Sequence, residues 1–261
     1  MAALRKSRDP LWVRVLPLLS VILFLVAWEA IVRVRAIPPI ILPAPSSIAG
    51  YLAKMVADGS IPYHLAVTFL RIIVGFLIAS VLGVAIGVFM GMSRVFSRIV
   101  DPWIAALYPL PKISLIPLLI IWLGTGEAYI LTISAISAFF PVVISTYSGI
   151  RQADQGLVKA ARDLGANRRQ IQLKIIIPAA IPSIFSGLHL GMGVTIILVV
   201  AAEMIGGSTD GGMGYLLIRF GQVMETEKVF ASLIVLAVFG GFIIKAQERI
   251  DRWVAPWAFD Q

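Results

Sequence analysis

Six stretches of the chain carry apolar residues on every face of a helix, and polar residues gather in the runs between them. They cover 15–32, 64–92, 103–124, 129–150, 178–205 and 229–246. At about 1.5 Å of rise per residue, roughly 20 apolar residues cross the ~30 Å hydrocarbon layer of a bilayer. The pattern predicts an all-α polytopic membrane protein with about six transmembrane helices. The third stretch is the least regular, because Pro109, Pro111 and Pro117 each interrupt helical hydrogen bonding. One membrane domain over 15–250 is expected, flanked by a short N-terminal segment, 1–14, and a C-terminal one, 251–261.

Composition strengthens this picture. Hydrophobic residues make up 59 % of the chain and charged residues 14 %, whereas a soluble domain has about 45–50 % and about 25 %. A net charge of +8 would suggest nucleic acid in a soluble chain; here it reads as membrane sidedness. With the N-terminus cytoplasmic, fifteen Lys and Arg fall on cytoplasmic segments and five on outer ones. The positive-inside rule selects that orientation, placing both termini and the loop 151–177 on the cytoplasmic side of the cell membrane. No nucleic-acid partner is expected. The absence of cysteine excludes disulfides, thiolate metal sites and cysteine nucleophiles. The first apolar run is too long for a signal-peptide core, and no small-residue cleavage pattern follows it.

The intervening segments carry their own signals. Ser46 or Ser47 can cap a short helix in which Ile48, Leu52 and Met55 share a face, predicting a helix on the membrane surface. The loop GGSTDGG after the fifth stretch lacks both a preceding strand and a GK[ST] ending, so it is no phosphate loop. Gly75, Ala79, Gly83, Gly87 and Gly91 recur every four residues, and Gly187 and Gly191 repeat the spacing. Such small-residue stripes let helices approach closely, whether in one chain or between two.

The loop 151–177 is a charged insert in an apolar chain. Leu157, Ala160, Ala161 and Leu164 form one apolar helical face, with Lys159, Arg162 and Asp163 elsewhere. Gly165 suits the left-handed position that ends a helix. Asn167 and Gln170 resemble a capping box that opens another, and Pro178 suits the first turn of the next span. The pattern reads as helix, turn, helix, span. By pattern alone, a helix on lipid headgroups and a docking helix fit equally well.

This stretch resembles the EAA loop of ATP-binding cassette (ABC) importer permeases. The family pattern is Glu-Ala-Ala, three residues, Gly, nine residues, Ile, one residue, Leu-Pro. Ala160, Ala161, Gly165, Ile175 and Pro178 match in register; Lys159 stands where the acid is usual and Ile177 where Leu is usual. LPAPSSI, PLPKISLIPLLIIWLGTGE and VVAAEMIGGSTDGGMGYLL are similar to the nitrate, sulfonate, taurine and bicarbonate branch. The resemblance implies a type I importer permease fold for a small anion, working as a homodimer with two ATPase subunits and an extracytoplasmic solute-binding protein. It also implies coupling to the ATPase through Lys159, Ala160, Ala161, Asp163, Leu164, Gly165, Ile175 and Pro178. Lacking a Walker A sequence, the chain is expected to be no enzyme and to bind no cofactor itself; ATP and Mg would act through the partner.

Lys112 and Glu203 are candidates for the translocation path. For Lys112 the rival reading is a side chain snorkelling to the cytoplasmic interface; for Glu203 it is a polar contact at a helix end. Arg71 and Glu29 read as interfacial. His64 and His189 are isolated, so each reads as structural rather than as a metal ligand. A secondary transporter driven by an ion gradient is the competing class, and it would need ionisable groups within the membrane.

Overall fold

The computed structural model describes residues 11–206 and 211–258. Residues 1–10 of the expected N-terminal segment, 259–261 of the C-terminal one and 207–210 of the GGSTDGG loop lie outside the described residues. Eleven α-helices follow in order among those described: α1 Leu11–Val34, α2 Pro45–Ala57, α3 Ser60–Met92, α4 Arg94–Leu107, α5 Ile116–Leu123, α6 Glu127–Arg151, α7 Gln155–Asp163, α8 Arg168–Ile171, α9 Ile177–Ile205, α10 Met213–Gln222 and α11 Thr226–Val254.

The core is a triple of long helices, α3, α6 and α9. Their small-residue stripes decide how they meet. Gly75 faces Ser134, Gly83 faces Val142, Gly87 faces Thr146 and Gly91 faces Ile150. The partners advance in step, so α3 and α6 run parallel. On the other side of α6, Gly149 meets Ser183, Gly187 meets Ser145 and Gly191 meets Ala138, so α9 runs antiparallel to it. These approaches are backbone-close: a Cβ at Gly75 would fall 2.0 Å from Ser134 Oγ. The partner of the stripe on α3 is therefore α6 of the same chain. Hydroxyls tie the seams, with Ser134 Oγ donating to Arg71 O and Ser137 Oγ 3.0 Å from Thr195 Oγ1.

The stretch expected as a third span, 103–124, is divided. α4 starts nine residues earlier, at Arg94, where Ser93 Oγ accepts from the Phe96 N–H, and it ends at Leu107. Pro109 and Pro111 remove the donors that would continue it; a 3₁₀ turn over Lys112–Leu115 then leads into α5. The two halves meet at 88°. Because α3 and α6 are parallel, this bent pair must return the chain from the Met92 end to the Glu127 end. Five long apolar helices and one broken span thus make six passes.

At one end, α2, α10 and the start of α11 close over the core. Ile48 and Met55 are buried in a cluster with Ile61, Met213, Leu216 and Phe220. The apolar face of α2 therefore packs on protein, not on the membrane surface as its period alone suggests. Its start is also secured differently: Ser47 Oγ donates to Ala44 O, and the Ser46 N–H donates to Glu29 of α1. Peripheral α1 leaves Leu18, Leu23 and Phe24 exposed, the surface expected of a helix facing lipid.

Candidate functional site

Two polar constructions stand out, one at each end of the core. At the α7 end, Asp154 accepts from the Gly156 N–H and opens α7. The helix closes in a Schellman motif: Gly165 takes φ +86°, its N–H donates to Arg162 O, and the Ala166 N–H donates to Ala161 O. A reciprocal capping box follows, with Gln170 N–H donating to Asn167 Oδ1 and Asn167 N–H to Gln170 Oε1. From Arg168 the helix continues through a π-type turn at Gln172–Ile176 into α9. Such a turn relieves the clash of Pro178 with the preceding carbonyls. The result is one rod over Arg168–Ile205, 38 residues long.

The rod joins the loop to the core without a hinge, while α7 itself projects. Leu164 is 88 % exposed and Leu157 57 %; Lys159, Ala160 and Asp163 are also exposed, Ala161 and Ile175 half-buried. Behind α7 a cavity of about 600 Å³ is lined by Arg94, Arg151, Arg162 and Arg168.

At the α10 end lies a buried ion network that the sequence does not announce. Arg71 is 2 % exposed and Glu203 fully buried. Arg71 Nη1 donates to Glu203 Oε1 at 2.9 Å and to Gly211 O at 2.8 Å, and the guanidinium also pairs with Glu127 at the start of α6. Glu203 further accepts from Thr68 Oγ1 and from the Gly214 N–H, both at 2.9 Å. Thr68 in turn accepts from Met213 N–H, and His64 Nδ1 accepts from Gly212 N–H. Every oxygen and N–H named has a partner, as burial in low dielectric demands. The network straps the loop 211–214 to α3, α6 and α9. Arg71 is thus enclosed rather than interfacial. The usable sequence signal was the rule that charges inside apolar spans pair with one another.

Lys112 occupies the break between α4 and α5. Its ammonium lies 4.8 Å from the ring centre of Tyr108 and 5.1 Å from that of Phe140, and it donates to Tyr108 O. Phe140 is near the middle of α6, about 20 Å from Glu127 and about 16 Å from Arg151 at helical rise. Lys112 thus lies beside the middle of α6 rather than at either of its ends. His189 meets Asp251 of α11 at 3.2 Å. No group of three His, Cys, Asp or Glu that could hold a metal occurs among the described residues.

Six membrane passes around a closely packed core of α3, α6 and α9, with a capped helix projecting from one end, define a polytopic membrane protein. Residues 79–256 match the family described as the binding-protein-dependent transport system inner membrane component. The chain belongs to that family. It is similar to the putative aliphatic sulfonates transport permease protein SsuC of Bacillus subtilis (strain 168), 33 % identical over 94 % of this chain and 88 % of that one. It is also similar to the taurine transport system permease protein TauC of Escherichia coli (strain K12), 30 % identical over 89 % and 86 %. Among solved structures, an inward-facing conformation of the MetNI methionine ABC transporter matches with a TM-score of 0.53 at 23 % identity, over 74 % of this chain and 94 % of that one; that likeness concerns the fold. The chain is the membrane component of an ABC importer, whose ATPase activity belongs to a partner and whose cargo comes from a solute-binding protein.

Proposed function

We propose that this permease passes a small anion, such as a sulfonate, taurine, nitrate or bicarbonate, into the cell, and that two copies of it work with two ATPase subunits. The relatives named for aliphatic sulfonates and taurine support the substrate class. Both termini and α7 face the cytoplasm in this reading, supported by the fifteen-to-five division of Lys and Arg. The observation that carries it is α7 itself: a doubly capped helix with exposed Leu157 and Leu164, joined to α9 by an unbroken rod. α7 seats in a cleft of the ATPase, with Lys159, Ala160, Ala161, Asp163, Leu164 and Gly165 at the contact and Ile175 and Pro178 in the rod behind it. ATP-driven closure of the two ATPases brings the two α7 helices together, and the rods convert that movement into a switch between inward- and outward-facing states. ATP and Mg act in the partner.

Gly165→Val tests the reading. The site is open, so the substitution strains only the left-handed backbone. ATP-dependent uptake should fall about tenfold or more, since about 1–2 kcal/mol of strain at the cap displaces the helix that must seat. Unchanged uptake with normal assembly would contradict the coupling role. Uptake that persists on ATP depletion at a constant proton gradient would instead support a secondary transporter.

A further inference from the structure

Lys112 is a charge beside the middle of the spanning helix α6. A bare ammonium facing hydrocarbon there is costly, and intramembrane charges face protein interior or a water-filled cavity. Two aromatic faces hold it, with the ring quadrupoles attracting the ammonium. They leave the charge uncancelled, and among the described residues no carboxylate lies within ion-pair distance of it.

Tyr108, on which Lys112 rests, heads a groove of about 500 Å³ between α4 and α6. Ile104, Val143 and Ile144 supply apolar walls, and at the α7 end the groove reaches Arg151 and Asp101. Arg151 also lines the next cavity along, with Arg94 and Arg98, and the cavity behind α7, with Arg162 and Arg168. Asp101 is the one acid on the groove and its neighbouring cavity, against Arg94, Arg98 and Arg151, and it forms no ion pair with them. The groove therefore leads from Tyr108, beside Lys112, to Arg151 and the two arginine-lined cavities at the α7 end, with a cation near each end of an apolar stretch.

We propose that Lys112, the α4–α6 groove and Arg151 form the passage site for an organic anion with a short apolar tail, an alkanesulfonate type. The anionic head moves from Lys112 to the arginines while the tail lies along Ala105 and Ile144, the accessible apolar side chains of the groove. The proposal rests on the reading of the chain as an anion permease, and it assigns the specificity-determining cation within it. Walls of low dielectric concentrate the field of the cations inside the groove, so that anions are drawn in and cations are kept out.

The absence of native cysteine provides the test. Ala105 is small, exposed and on the groove. The A105C permease, with its ATPase partner in phosphatidylcholine nanodiscs, is treated with anionic sulfonatoethyl or cationic trimethylammonioethyl methanethiosulfonate, and permease labelling is followed by mass. Normalised to a free thiol, the anionic reagent should react at least about tenfold faster. Added Lys112→Gln or Arg151→Gln should remove most of that preference, and millimolar ethanesulfonate should protect the thiol. Ser148→Cys, on the opposite wall, repeats the measurement if A105C fails to assemble. Equal rates, a preference that survives both substitutions, or protection by phosphatidylglycerol but not by ethanesulfonate would overturn the proposal; the last would mark a lipid-headgroup site. Labelling requires neither ATP nor turnover, so a failed coupling test on Gly165 leaves this result independent.

Discussion

At Gly87 a single methyl group is already too large. A Cβ there would lie 2.6 Å from Thr146 Cβ and 2.8 Å from the backbone oxygen of Val143, and a backbone atom cannot step aside as a flexible side chain can. Gly87→Val should therefore destabilise the α3–α6 seam by about 1–3 kcal/mol or more, seen as a lower melting temperature of the purified permease; an unchanged melting temperature would contradict the packing. Arg71 makes the opposite case, a large group whose removal leaves something behind. Arg71→Gln strands the buried Glu203 carboxylate, and breaking such a pair costs about 3–5 kcal/mol. Adding Glu203→Gln to that variant should recover part of the loss, whereas additive losses would show that the two side chains do not act on each other.

Within single elements, the signals that can be read from sequence are the short-range ones. The capping box joins Asn167 to a partner three residues away, and Gly165 announces its positive φ by being the glycine between the apolar face of α7 and the Asn167 cap. The Arg71–Glu203 pair spans 132 residues, and no local period points to it. The surface face assigned to α2 fails for a related reason: Ile48 and Met55 have the period of an apolar face, but period does not say whether lipid or α10 covers it. The break at Lys112 lies between, since its prolines are visible in the sequence while the 88° angle of its bend is not. α7 should behave as a unit held by its caps. Asp154→Ala and Asn167→Ala should each cost about 1 kcal/mol of local stability, read as faster amide exchange confined to 155–171. Exchange that rises equally through α9 would mean that the loop and the rod are not separable.

Across the whole molecule, the parallel pairing of α3 and α6 fixes the count of passes. It requires Met92 and Glu127 to lie on opposite sides of the membrane, which five passes cannot provide. In the cysteine-free chain, Arg94→Cys and Lys245→Cys should label from one side and Lys54→Cys from the other; Arg94→Cys and Lys54→Cys labelling from one side would break the topology. The hydropathy of the sequence carries the helical class and the approximate number of spans, because burial in lipid demands uniform apolarity. It does not carry the assembly of two permeases, since the stripe that could have joined them is used inside one chain. The account of transport turns on α7 helices that approach each other when ATP binds. A spin label at Lys159→Cys, exposed on α7, in the complete transporter with its ATPase gives that distance directly. The account predicts one label–label distance without nucleotide and a shorter one with ATP trapped in the ATPase; a distance that stays the same in both states, in a transporter that still imports its substrate, would contradict it.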